Sequence, residues 1–290
     1  MNLANKLEVQ LNPVMIPGHI YLRFEGRNIE TTVDGENLSN EKIASLLHLD
    51  PKKLDFKEAS SNQFLSGLYS NACLIATKLK KYKRAFQYCD KAINLNENSG
   101  EGYINRSYLH LRLKEFVKSL RDAKKAVELY PMSGHAYLTL GIAYKKINKP
   151  LKALEYYLKA IEIRPSLFRA YYNSANIYFD QENYYKAINF YTKALDLNTK
   201  YYKAYLNRAI SLNKIGKKRE AINDYDKVLN LQGPMFDVIY EKGLILYQQQ
   251  KYKLAKKEFM SLKDSFPKKY VSENIKGVIQ ELNKLLSVKP

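Results

Sequence analysis

The chain has 290 residues, 46% of them apolar, enough to build a sizeable core and too many for a chain disordered by composition. Its net charge of +19 is uneven: residues 1–65 hold seven basic and nine acidic side chains, giving −2, and the remainder holds 41 and 20, giving +21. That field favours acidic partners, two cysteines exclude a disulfide-rich secreted scaffold, and the lack of 18 consecutive apolar residues excludes a membrane-spanning helix.

The segment Met1–Glu8 lacks the unbroken apolar stretch of a signal peptide, so a cytoplasmic location is expected. His19–Glu25 alternates like a strand and Asn28–Val33 can return from a Gly26-Arg27 turn. Ser39-Asn40 then begins a helix carrying Ile43, Leu46, Leu47 and Leu49 and stopped by Pro51. Residues 1–65 are therefore expected to form a β-hairpin plus helix covering one end of the region that begins at Ser66; a separate binding module is the alternative.

From Ser66 the chain repeats with a period of 34 residues: 66–99, 100–133, 134–167, 168–201, 202–235 and 236–269. The eighth position of the six blocks reads Cys73, Ser107, Gly141, Ala175, Ala209, Gly243, and the twentieth reads Ala85, Ser119, Ala153, Ala187, Ala221, Ala255. If about a quarter of residues are small, twelve small residues in twelve places arise by chance with probability on the order of 10⁻⁷. The fourth position is Tyr in five blocks, from Tyr69 to Tyr205, and the twenty-fourth is Tyr157, Tyr191, Tyr225 and Phe259 in the last four. Each block holds two helix-length periodic stretches with a break between them, such as Lys214-Ile215-Gly216-Lys217. Small residues let two antiparallel helices approach, the aromatics fill the space between them, and prolines at 131, 165 and 267 stop the second helix. Cys73 and Cys89 fall on core positions of one such pair and are expected to remain thiols that pack.

Residues 270–290 carry Ile275, Val278, Ile279, Leu282, Leu285 and Leu286 on one stripe, the pattern of a helix that caps the last pair. Homodimerisation through that stripe is the competing expectation.

These positions carry a resemblance to the tetratricopeptide repeat family. The third block, Tyr137-x₂-Leu140-Gly141-x₂-Tyr144, then Ala153-x₃-Tyr157-x₂-Ala160 and Pro165, resembles the family pattern closely, and the resemblance extends over residues 66–269. It departs at Cys89 and Ala123, where an aromatic is usual, and at Lys218. The resemblance implies a mainly α fold, a right-handed superhelical α-α solenoid of six helical hairpins with a small N-terminal α+β segment and a C-terminal capping helix. It also implies a scaffold or adaptor that binds a partner polypeptide, and no enzyme.

In this family the first helices of successive repeats line a concave groove, which directs attention to two positions. The sixth reads Asn71, Asn105, Thr139, Asn173, Asn207, Glu241; its asparagines would form a ladder of donors and acceptors for the backbone amides of an extended peptide. The thirteenth reads Lys78, Arg112, Lys146, Asp180, Lys214, Gln248, two turns later on the same helix face, and its four cations would favour acidic groups on the ligand. Some family members hold a chaperone's C-terminal carboxylate with a set of Lys, Asn and Arg. Here the best match is Asn176 with Asn207, where Tyr172 stands in place of lysine and Asp237 and Glu241 in place of two cations; one block earlier it is Asn173, Lys203 and Asn207. A carboxylate clamp of that design is not expected.

Other lysines gather at the breaks between paired helices, including Lys80, Lys81, Lys83, Lys114, Lys149 and Lys217. In an array they form a basic edge, so binding of RNA or DNA there is the alternative function. The four histidines have no metal spacing, no glycine loop cradles phosphate, and no cofactor is implied.

Overall fold

The computed structural model describes strands within residues 12–58, residues 61–272 and residues 275–287. The chain divides into two compact units, residues 1–163 and 164–290.

In the first unit, β1 (Asn12–Ile16), β2 (His19–Phe24), β3 (Arg27–Glu30), β4 (Asn37–Leu38) and β5 (Lys57–Glu58) form an antiparallel sheet in the order β4-β3-β2-β1-β5. The anticipated hairpin is β2–β3, with Phe24 opposite Arg27 and Tyr21 opposite Glu30. Strand β1 was not expected from the sequence, because Pro13 and the short apolar run Val14-Met15-Ile16 give little alternation to read. The helix expected after Ser39 lies outside the described residues.

Three antiparallel helix pairs follow: α1 (Ser61–Lys78) with α2 (Tyr82–Leu95), α3 (Gly100–Arg112) with α4 (Phe116–Leu129), and α5 (Gly134–Lys146) with α6 (Pro150–Ile163). The second unit contains α7 (Phe168–Asp180) with α8 (Tyr184–Leu197), α9 (Tyr202–Lys214) with α10 (Lys218–Gln232), and α11 (Phe236–Gln248) with α12 (Tyr252–Ser265), then α13 (Pro267–Ser272) and α14 (Ile275–Ser287). Inside each unit, a pair packs its second helix on the first helix of the next, as in a helical-hairpin solenoid.

Every first helix ends the same way. The residue at position fifteen takes a left-handed backbone: Lys80, Lys114, Asn148, Glu182, Gly216 and Gln250, with φ between 58° and 79°. The next residue's N–H reaches back to the carbonyl five positions earlier, as in Lys81 to Ala76 (2.8 Å) and Asn183 to Tyr178 (2.9 Å). This satisfies carbonyls that the helix end leaves orphaned and turns the chain into the second helix.

The pairs close on the small residues. A Cβ on Gly141 would lie 2.5 Å from Tyr157 Cε1, and one on Gly243 would lie 2.8 Å from Phe259 Cζ, so in these two pairs the ring occupies the space a side chain would need. Tyr157, Tyr191, Tyr225 and Phe259 are correspondingly buried. The tyrosines of position four are half-buried instead, lying beside position twenty-three: Tyr69 with Tyr88, Tyr137 with Tyr156, Tyr171 with Phe190.

Cys73 and Cys89 are a correction. They form a disulfide, with Cα atoms 5.2 Å apart, where free thiols were expected. The cause is the repeat itself: positions eight and twenty-four face each other in every pair, so two cysteines sixteen residues apart occupy the places that Gly141 and Tyr157 fill in the third pair.

The C-terminal stripe is used within the chain. Ile275, Ile279 and Leu282 are buried with Phe236, Leu246, Phe259 and Leu262, and Val278 packs against the same cluster. Pro267 opens α13, a favoured place for proline at a helix start; α12 has already ended at Ser265.

Candidate functional site

The candidate groove residues sit on the first helix of each pair and fall into groups with different surroundings. In the first unit, Asn71 is exposed, with no hydrogen-bond partner among the described residues. Asn105, on the next first helix, donates its Nδ2 to the Ser70 carbonyl of α1 at 2.8 Å, which ties α3 to α1. Thr139 is buried and donates Oγ1 to the His135 carbonyl one turn earlier, so its hydroxyl is taken up inside α5. These three positions do not form a continuous ladder of free amides.

In the second unit the arrangement is denser. Asn207 Nδ2 on α9 donates to Asn176 Oδ1 on α7 at 2.9 Å and to the Tyr172 hydroxyl at 3.3 Å. The buried Tyr191 hydroxyl, reaching across from α8, donates to the same Asn176 oxygen at 2.7 Å. Two donors on one oxygen fix which way the Asn176 amide points. Asn207 Oδ1 has no partner among the described residues and neither has the half-buried Asn173 side chain, whereas the Asn176 amide also interacts with the Tyr172 hydroxyl. The Asn173 amide and Asn207 Oδ1 thus offer donors and acceptors to the C=O and N–H of a peptide. Tyr201 walls the site: its ring centroid lies 5.0 Å from both the Phe168 and the Tyr172 ring, edge-on. Burial pushes the Tyr201 hydroxyl up to about 12 and raises Tyr172 and Tyr191 too, so all three stay neutral donors at ordinary pH.

Lys78, Arg112, Lys146 and Lys214 each end a first helix, are exposed, and make no ion pair among the described residues. Lys203 is exposed at the start of α9. Asp180 occupies the corresponding place on α7, so the second unit carries a mixed pattern of charge.

Sequence reasoning missed a set of ion pairs behind these positions. Arg106 binds Asp122 through Nε (2.7 Å) and Nη2 (3.1 Å), and Asp90 of the preceding pair through Nη1 (3.0 Å). Arg208 does the same with Asp224 (2.7 and 2.8 Å) and Thr192 (2.9 Å). Lys242 bridges Asp226 (2.7 Å) and Glu258 (2.8 Å). The signal lay in the repeat: a base at position seven joins an acid at position twenty-three of its own block and a polar residue at position twenty-five of the block before. Where position twenty-three is aromatic instead, it packs beside the position-four tyrosine. A cavity of about 300 Å³ lies beside the Arg208–Asp224 pair, but all three guanidinium nitrogens are already hydrogen-bonded to protein.

His110 is a packing residue of the same layer, with Nδ1 2.6 Å from Glu115 Oε2 and its ring 5.3 Å from that of Phe86. Among the described residues no three His, Cys, Asp or Glu side chains are grouped to hold a metal ion, and no helix is long and apolar enough to cross a membrane.

Known proteins share this architecture. Family models described as tetratricopeptide repeat match residues 67–99, 134–167 and 166–232. No curated protein matches the sequence. Among solved structures, that of pilF from Pseudomonas aeruginosa is similar over 75% of this chain and 100% of its own, at 15% identity and a TM-score of 0.66. PilW, described as a widely conserved type IV pilus biogenesis factor, is similar over 72% of this chain and 96% of its own, at 16% identity and a TM-score of 0.63. The hetero-tetramer Cut9–Hcn1 of the APC/C is similar over 84% of this chain and 51% of its own, at 17% identity and a TM-score of 0.58. Likeness at these identities speaks to the fold alone. Repeated helix pairs closed on small residues, together with the family models that match residues 67–99 and 134–232, identify these pairs as tetratricopeptide repeats.

Proposed function

We propose that the protein is a non-enzymatic scaffold that grips an extended segment of a partner polypeptide along the first helices of its repeats. The tetratricopeptide fold supports protein–protein interaction in general. The observation that carries the groove reading is the Asn176–Asn207 hydrogen bond (2.9 Å), beside which Asn207 Oδ1 and the Asn173 side chain make no hydrogen bond among the described residues. Tyr172 touches that pair, and Asn173 and Lys203 lie on the same two helices. Lys78, Arg112, Lys146 and Lys214 supply cations for acidic side chains of the ligand. In this reading the six blocks of residues 66–269 are the binding array, residues 1–65 an N-terminal module and residues 270–290 the C-terminal cap. The Cys73–Cys89 disulfide favours an oxidising compartment over the cytoplasm expected from the sequence.

A displayed library of random peptides panned on the full chain tests the proposal. Peptides selected by the wild type should lose affinity by about tenfold or more for an Asn173→Ala, Asn176→Ala, Asn207→Ala variant, because each removed amide leaves a peptide group unpaired. Selected peptides that bind this folded variant unchanged would show that the pair is not the site.

A further inference from the structure

The break between paired helices gives the first unit a polarised end. Segments 78–84, 112–118 and 146–152, which join α1 to α2, α3 to α4 and α5 to α6, hold eleven basic residues and one acid, Glu115, a net +10. Glu115 is already held by Lys118 at 3.0 Å and by His110. Lys80, Lys81, Lys83, Arg84, Lys114 and Lys149 are exposed and make no ion pair among the described residues. The opposite end of the same helices carries Glu97 and Glu101, with no base in residues 95–101.

Helix stability does not account for this placement. Lys83 and Arg84 lie in the first turn of α2, Lys118 in that of α4 and Lys152 in that of α6, where the helix dipole favours acids; none of the three helices has an acid there. The same end exposes aliphatic side chains. Leu79 is 60% exposed, Val117 77% and Leu151 69%, each with at least one lysine next to it in the chain. Adjacent packed helices lie about 8–10 Å apart, so three successive turns offer a row of apolar tips within one cationic face.

We propose that this end of the first unit docks on an anionic phospholipid surface, with Leu79, Val117 and Leu151 entering the headgroup region and the surrounding lysines on the lipid phosphates. A single-stranded nucleic-acid site would add exposed rings on which bases stack. Here the cations are nearly all lysine, and Tyr82 and Phe116 at the same turns are half-buried. Aliphatic tips ringed by lysine match the combination that holds proteins at membrane interfaces. The proposal does not depend on the groove.

Vesicle flotation of the full chain tests it, comparing phosphatidylcholine alone with phosphatidylcholine mixed with phosphatidylserine. The protein is expected to float with the anionic vesicles only. Each cation near the surface contributes about fivefold in affinity, so Lys81→Glu, Lys114→Glu, Lys149→Glu should weaken binding about a hundredfold or more. Leu79→Ser, Val117→Ser, Leu151→Ser should weaken it about tenfold or more, with the charge unchanged. All six side chains are exposed, so both variants should keep the wild-type circular dichroism spectrum. Failure to float with anionic vesicles overturns the proposal, as does a serine variant that floats like the wild type. Binding of duplex RNA or DNA without vesicle binding, lost in the charge variant, would move the surface to nucleic acid and overturn it equally.

Discussion

Position fifteen of each repeat offers a direct test of how the hairpins are held. Glu182 adopts φ 59° at the end of α7, is exposed, and makes no side-chain hydrogen bond or ion pair among the described residues. Its N–H bonds the Phe179 carbonyl at 2.9 Å, a bond any residue can make. A left-handed backbone costs a residue with a Cβ about 1–2 kcal/mol relative to the right-handed region. Glu182→Gly removes that cost and adds about 0.4–1 kcal/mol of unfolded-chain entropy to be lost on folding. The net expectation is a stabilisation of about 0.5–1 kcal/mol, read as a rise in Tm of about 1–4 °C. The reverse change is available at Gly216, which has φ 79° and open space where a Cβ would project. Gly216→Ala should therefore destabilise through the backbone alone, by about 1 kcal/mol. Asn148 serves as an internal control, since asparagine tolerates this conformation and Asn148→Gly should be near neutral. Urea and thermal unfolding of the three variants decide the matter. A Glu182→Gly protein less stable than wild type, or a Gly216→Ala protein of equal stability, would refute the account of the turn.

Two further outcomes follow from the ion pairs and the buried rings. Arg208→Ala leaves Asp224, 5% exposed, without its cation, and should cost about 2–4 kcal/mol in urea unfolding, whereas joint replacement of both by Met and Leu should be much milder. Burial raises the hydroxyls of Tyr157, Tyr191 and Tyr225, and that of Tyr201 to about 12, from an ordinary value of 10. The folded state therefore holds these protons more tightly than the unfolded chain. That stability is fully present below pH 10 and is lost as pH rises towards the folded values, so Tm should fall through this window as tyrosinate absorbance grows with unfolding.

The amino-acid sequence by itself determined the periodic part of the protein. Small residues at positions eight and twenty recur because two helices meet there in every pair, and the local condition for the contact is written in each block. The asparagines and cations of the first helices were legible for the same reason, as fixed offsets on one helix face. What those side chains touch depends on neighbouring pairs, and only the tertiary structure decided it. Asn105 ties α3 to a carbonyl of α1, Thr139 is buried, and Asn176, not anticipated as Asn207's partner, forms the polar pair with it. The Arg106 and Arg208 clamps are split between adjacent blocks, so reading one block at a time conceals them. Cys73 and Cys89 show the limit most simply. Each is an unremarkable core residue along the chain, and only the antiparallel return of α2 on α1 puts the two side chains face to face.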